Sequence, residues 1–150
     1  MVTRPTPAAK ARELFLNREI QLLAFNRRVL AQAEDASVPL LERLKFLSIL
    51  SSNLDEFFEI RVAGLKEQLK LNSTARGPDG LTPRETFRKV AEEMHALVIR
   101  QYALLNDAMF PALAAEGIRF LRRAQWTPKQ QAWVKEYFFR EMVPVLTPIG

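Results

Sequence analysis

The chain has 150 residues, 48% of them hydrophobic and 26% charged, the composition of one soluble globular domain with a substantial core. No uncharged run exceeds nine residues, whereas a membrane-spanning helix needs about 20 largely apolar positions, and the lack of cysteine excludes disulfides, thiolate metal sites and a cysteine nucleophile while fitting a reducing cytoplasm. Basic residues outnumber acidic ones 22 to 17, a net charge of +5, with six against four over residues 1–36 and six against three over 116–150; that is a mildly basic solvated surface, since a nucleic-acid face concentrates its cations on one element.

Glycine is scarce, with five residues, and apolar side chains recur at steps of three and four, the helical period. Residues 1–12 are expected to form a flexible tail, and the start, MVTRPTPAAKARELFL, has neither an apolar stretch of signal-peptide length nor a small-residue cleavage pattern, so export is not expected. After Leu14 and Phe15, Asn17 suits a helix cap, and a helix running to about Asp35 places Ile20, Leu22, Leu23, Phe25, Val29 and Leu30 on a broad apolar face. Ser37, ahead of Val38 and Pro39, reads as the start of a second helix with Leu40, Leu44 and Leu47 in one stripe. At Ser51, Ser52 and Asn53 three residues that compete for local backbone hydrogen bonds arrive together. That predicts a break, with Asn53 capping a third helix and Glu56 completing a capping-box-like pair. From there Phe58, Val62, Leu65 and Leu69 form one seam to about Leu71.

Residues 72–80, NSTARGPDG, are rich in turn formers and read as an exposed, mobile loop. Thr82, Pro83 and Glu85 then supply a cap, a first-turn proline and a capping-box glutamate for a long helix with Phe87, Val90, Ala91, Met94, Val98, Leu105 and Ala108 on one face. Pro111 is placed to kink it and Gly117 to close it. Beyond Gly117, IRFLRR suits a short strand or an extended link, and Thr127 and Pro128 open another helix containing Trp133, Tyr137 and Phe138. Pro144 and Pro148 flank the apolar VLTPIG, which reads as cut off in mid-domain. The fold class expected is all-α, an antiparallel bundle of long helices followed by the opening of something else.

Chemistry is sparse along this chain. The five glycines form neither GxxxxGK[ST] nor GxGxxG, and HExxH is lacking. The single histidine, His95, lies in mid-helix with no nucleophile signalled nearby, which favours a structural or surface role. Asp55 and Glu59, four apart, share a helix face and could hold Mg²⁺ with substrate phosphates, although a solvated acidic helix start explains them as well. Arg61, Lys66 and Lys70 could meet an anion or simply wet a helix face, and the aromatics interleave with the apolar stripes as core packing does.

Three stretches read together go further: LFLNREIQLLAFNRRVLAQAED, SVPLLERLKFLSILSSNLDEFFEIRVAGLKEQ and WVKEYFFREMVPVLTPIG. They resemble the N-terminal region of the first family of polyphosphate kinases, closely over residues 14–71 and loosely over the rest. The resemblance implies a spectrin-repeat-like helical N-terminal domain over residues 13–115 and, over 116–150, the truncated beginning of a head domain. It implies an ATP–polyphosphate phosphotransferase that reversibly moves the γ-phosphoryl of ATP onto inorganic polyphosphate through a phosphohistidine outside this chain. The Mg²⁺ ligands also lie outside it, and His95 matches none of the family's catalytic residues. No catalytic or metal-binding residue is therefore expected here. One binding residue carries over: the asparagine of the NLDEF motif, Asn53, is implied to contact the adenine of ATP, a task suited to an amide that offers both donor and acceptor. The implied partners are ATP, ADP and polyphosphate, with homo-oligomerisation of the full-length enzyme, no nucleic acid and no transmembrane segment. The implied location is the cytoplasm, extending to peripheral association with the inner face of the membrane. Two other classes remain open on the residues alone, a helical scaffold that docks a protein through the apolar end segment and a polyanion binder that uses the basic ends.

Overall fold

In the computed structural model, which describes residues 15–147, the first element is α1 (Arg18–Glu34). The tail expected over residues 1–12, Leu14 and the last three residues of VLTPIG lie outside the described residues. Asn17 caps α1 as expected, its Oδ1 accepting from the Ile20 amide at 3.1 Å and satisfying one of the donors that a helix start leaves unpaired. Leu23, Asn26, Val29, Leu30 and Ala33 are its buried positions. At the far end the Arg43 guanidinium donates from Nε to the Ala33 carbonyl at 2.8 Å, a cation placed where the helix has unpaired carbonyls.

Ser37 does not start the second helix. Its amide and hydroxyl both donate to Asp35 Oδ1, at 2.8 and 2.7 Å, in an Asx-type turn that occupies the side chain. The helix begins three residues later as α2 (Leu40–Glu56), behind Pro39, which offers no side-chain cap.

The break expected at residues 51–53 is likewise absent. Helix α2 runs without interruption into a π-helical segment (Phe57–Val62) and on into α3 (Ala63–Lys70), so Asn53 is an interior helical residue and caps nothing. The polar side chains that were expected to compete for the local backbone are engaged across the bundle instead. Ser51 Oγ accepts from Gln101 Nε2 at 2.6 Å, and Asn53 Nδ2 donates to Asn26 Oδ1 at 2.9 Å. Leu47, Leu50, Leu54, Phe57, Val62 and Leu65 form the buried seam. Its step from Phe57 to Val62 spans five residues, one more than an α-helical turn brings back to the same face, and the i→i+5 geometry of the π segment absorbs the extra residue. Phe57, at 4% exposure, therefore fills the core position expected for Phe58, which is 37% exposed.

The following loop is exposed from Thr74 to Pro78, but Asp79, Gly80 and Leu81 are half-buried, and Asn17 Nδ2 donates to Asp79 Oδ2 at 2.7 Å. The second half of the segment is thus fastened to the start of α1. The Thr82–Glu85 capping box opens α4 (Pro83–Ala103) as expected. A second π-helical segment (Leu104–Met109) leads into α5 (Phe110–Ala115), which accommodates Pro111 in its first turn. Gly117, at φ +82°, closes it through its amide to the Ala114 carbonyl at 3.1 Å, the left-handed conformation that favours glycine.

Cross-helix contacts fix the directions. Asn53 meets Asn26 and Arg43 meets Ala33, so α2 runs antiparallel to α1; Arg27 pairs with Glu93 and Glu34 with Arg100, so α4 runs parallel to α1. The result is an all-α, up-down-up bundle of three rods around Leu23, Leu30, Leu50, Val90 and Met109, with no strand among the described residues. Each fully buried leucine contributes roughly 1.5–3 kcal/mol by leaving water.

The chain divides into two compact units, one ending at Leu113 and one beginning at Ala114. In the second, residues 118–122 form an irregular link rather than a strand. A 3₁₀ turn (Arg123–Gln125) follows, then α6 (Pro128–Tyr137), opened by a Thr127–Gln130 capping box, a π-helical segment (Phe138–Met142) and a 3₁₀ turn (Val143–Val145). Trp133 and Tyr137 stack at 5.3 Å between ring centroids, and Phe138 meets Phe139 edge-on at 5.8 Å.

Candidate functional site

Two asparagines facing each other across α1 and α2 define the most distinctive polar feature of the bundle. Asn26 is 3% exposed and sits among leucines on the buried side of α1, where an amide without partners would be strongly destabilising. Its Nδ2 donates to the Leu22 carbonyl one turn earlier at 3.1 Å, and its Oδ1 accepts from Asn53 Nδ2 at 2.9 Å. Asn53 makes no other side-chain hydrogen bond among the described residues, so its Oδ1 and second amide hydrogen are left over.

Asn53 lines a cavity of about 180 Å³. Asn26 and Asn53 supply its amides, Leu22, Phe25, Phe57 and Ile60 its apolar walls, and Glu56 and Arg61 its charged rim. The π-helical segment matters here, because Phe57, Ile60 and Arg61 all belong to it, and such segments recur where a helix contributes to a site. Phe25 and Ile60 are substantially exposed, and the Arg28 guanidinium lies over the Phe25 ring at 5.7 Å. A whole drug-sized ligand usually occupies roughly 300–1,000 Å³, so this cavity suits one flat ring system with polar edges, the rest of the molecule lying outside.

The other residues singled out in the sequence are placed elsewhere. Asp55 and Glu59 are exposed and lie within a continuous helix, not at a helix start, and among the described residues no three His, Cys, Asp or Glu come together. Lys70 pairs with Glu67 at 2.6 Å. His95 is exposed on α4 and donates from Nδ1 to the Ala91 carbonyl at 2.8 Å. Arg61 alone of the three cations lines the cavity. Sequence reasoning passed over Asn26. The available signal was an amide in helical register with Leu23, Leu30 and Ala33, a polar residue in an apolar stripe.

Comparison with known proteins converges on one family. The family model of the polyphosphate kinase N-terminal domain matches residues 15–121. A polyphosphate kinase of Pseudomonas putida is 52% identical over 148 residues, covering 99% of this chain and 20% of the relative. One of Neisseria meningitidis serogroup C is 57% identical over 135 residues, covering 90% and 20%. The crystal structure of polyphosphate kinase from Porphyromonas gingivalis superposes with a TM-score of 0.71 at 32% identity, over 90% of this chain and 19% of that one. The chain therefore spans about a fifth of the length of the relatives it matches.

Proposed function

Because the chain belongs to the polyphosphate kinase N-terminal domain family, we propose that it serves a reversible transfer of the ATP γ-phosphoryl to inorganic polyphosphate by receiving the adenine of ATP at Asn53. The observation that carries this reading is that Asn53, whose Oδ1 has no hydrogen bond among the described residues, lines a base-sized cavity with apolar walls. In this reading Phe25 and Ile60, which line the cavity, flank the planar ring, and the Asn53 amide offers an acceptor to the exocyclic amine and a donor to a ring nitrogen. The triphosphate then extends past the Arg61 rim toward the rest of the enzyme.

The chemical step belongs to that remainder. We assign to it the phosphohistidine, which splits the transfer into two displacements, and the Mg²⁺ that offsets phosphate charge, since His95 is bonded to its own helix and no three His, Cys, Asp or Glu come together among the described residues. The isolated 150-residue chain is accordingly inactive, and the full-length enzyme acts as a cytoplasmic homo-oligomer on ATP, ADP and polyphosphate, with peripheral attachment at the inner face of the membrane. No helix among the described residues is long and apolar enough to cross a membrane.

The test is Asn53→Ala in the full-length enzyme. Loss of ground-state base binding raises KM for ATP about 5- to 20-fold with a smaller change in kcat. An unchanged KM for ATP would defeat the reading.

A further inference from the structure

We infer that Asn26 is a positioning residue that sets which edge of Asn53 faces the nucleotide, and through it the preference for a 6-amino over a 6-oxo purine. This rests on the adenine reading above and adds to it a cause for base selection.

The argument follows from donors and acceptors alone. A backbone carbonyl only accepts, so the contact of Asn26 with the Leu22 carbonyl must come from Nδ2, which turns Oδ1 toward Asn53. An amide oxygen also only accepts, so Asn53 must answer with Nδ2. The Asn53 oxygen is thereby turned away from Asn26. Reversing the Asn53 amide would set two oxygens against each other beside the 3%-exposed Asn26, and reversing Asn26 as well would set its oxygen against the Leu22 carbonyl. Each reversal leaves a buried polar group opposed, which is costly. The Leu22–Asn26–Asn53 relay thus leaves the Asn53 oxygen as its free acceptor, on a residue that lines the cavity. Adenine offers a 6-amino group to that acceptor; hypoxanthine and guanine offer a carbonyl oxygen that repels it.

The experiment compares ATP with inosine triphosphate as donors to polyphosphate in the full-length enzyme. The wild type favours ATP in kcat/KM by about 10- to 100-fold, the loss expected when one hydrogen bond is replaced by an opposed, unsatisfied polar group. In Asn26→Ala the Asn53 amide is free to turn, so KM for ATP rises while KM for inosine triphosphate falls, and the preference drops to within about threefold of unity. A merely structural defect would raise both KM values. Asn26→Ser keeps a hydroxyl donor for the Leu22 carbonyl and an acceptor for Asn53, and retains the preference.

A folded Asn26→Ala enzyme that keeps its preference, while Asn53→Ala loses it, overturns the role of Asn26 and leaves the adenine reading standing. An Asn53→Ala enzyme with unchanged KM for ATP and unchanged preference removes both. Should Asn26→Ala fail to fold, Asn26→Ser decides: retained preference supports the relay, and preference collapsed to that of Asn53→Ala refutes it.

Discussion

Asn17 and Asp79, 62 residues apart, are joined by a 2.7 Å hydrogen bond from the amide Nδ2 to the carboxylate, while the same asparagine caps α1 through its oxygen. One side chain thus starts a helix and anchors the loop that precedes α4. Asn17→Ala loses both functions and is expected to lower stability by about 1–2 kcal/mol, whereas Asp79→Ala leaves the cap in place. Urea unfolding of the chain measures the difference. Arg76, whose guanidinium donates to the Gly80 carbonyl at 2.6 Å, supplies a tryptic site within the loop. Cleavage there should accelerate in Asp79→Ala, and an unchanged rate would mean that the hydrogen bond does not restrain the loop.

The capping box of α4 gives stability a dependence on acid. Hydrogen bonds from the Thr82 amide, then from its hydroxyl, hold the Glu85 carboxyl below its ordinary value of 4.5, with Arg76 and Arg88 adding to the effect. A depressed folded value means that the contribution is present in full above 4.5 and disappears as the pH falls through the lower, folded value. Asp35, lowered from 3.8 by the Ser37 hydroxyl and amide, acts in the same direction. Glu85→Gln should therefore flatten the acid limb of a Tm-against-pH curve, while Thr82→Ala costs about 1 kcal/mol at neutral pH through the lost cap. An acid limb identical in Glu85→Gln and wild type would locate the dependence elsewhere.

The π-helical step distinguishes two adjacent phenylalanines. Phe57 is almost fully buried and Phe58 faces water over more than a third of its surface, so Phe57→Ala should cost about 3–5 kcal/mol and Phe58→Ala well under half of that. Reversed magnitudes would mean that the helix keeps an α-helical register through this segment. The comparison is free of composition effects, because both variants delete the same atoms from neighbouring positions.

Those phenylalanines also show what was legible in the sequence. Helix identity and three of the expected caps, Asn17, Thr82 and Thr127, could be read because each depends on a few neighbouring residues. The run Ser51, Ser52, Asn53 could not be read correctly, because local competition for backbone bonds was outweighed by partners on α1 and α4 brought close only by folding. The five-residue step from Phe57 to Val62 violates the period by which helical seams are found, so the seam was assigned to Phe58. Asn53 stands out by resemblance, yet the capping role expected of it is absent: it lies inside a continuous helix, and its Nδ2 is held by Asn26 on the neighbouring helix.

The charged rim supplies a last expectation that separates phosphate attraction from base recognition. Arg61 is half-buried at the cavity and forms no ion pair among the described residues, while Glu56 on the same rim bears the opposite sign. A triphosphate should be drawn by the first and repelled by the second. In the full-length enzyme, Arg61→Ala is expected to raise KM for ATP about fivefold and Glu56→Gln to lower it modestly, both effects shrinking as salt screens the rim. Neither substitution touches the Asn26–Asn53 relay, so the ratio of ATP to inosine triphosphate should stay at its wild-type value in both. A change in that ratio on replacing Arg61 would mean that the rim reads the base as well as the phosphates, and a KM for ATP indifferent to both substitutions would direct the triphosphate along another path.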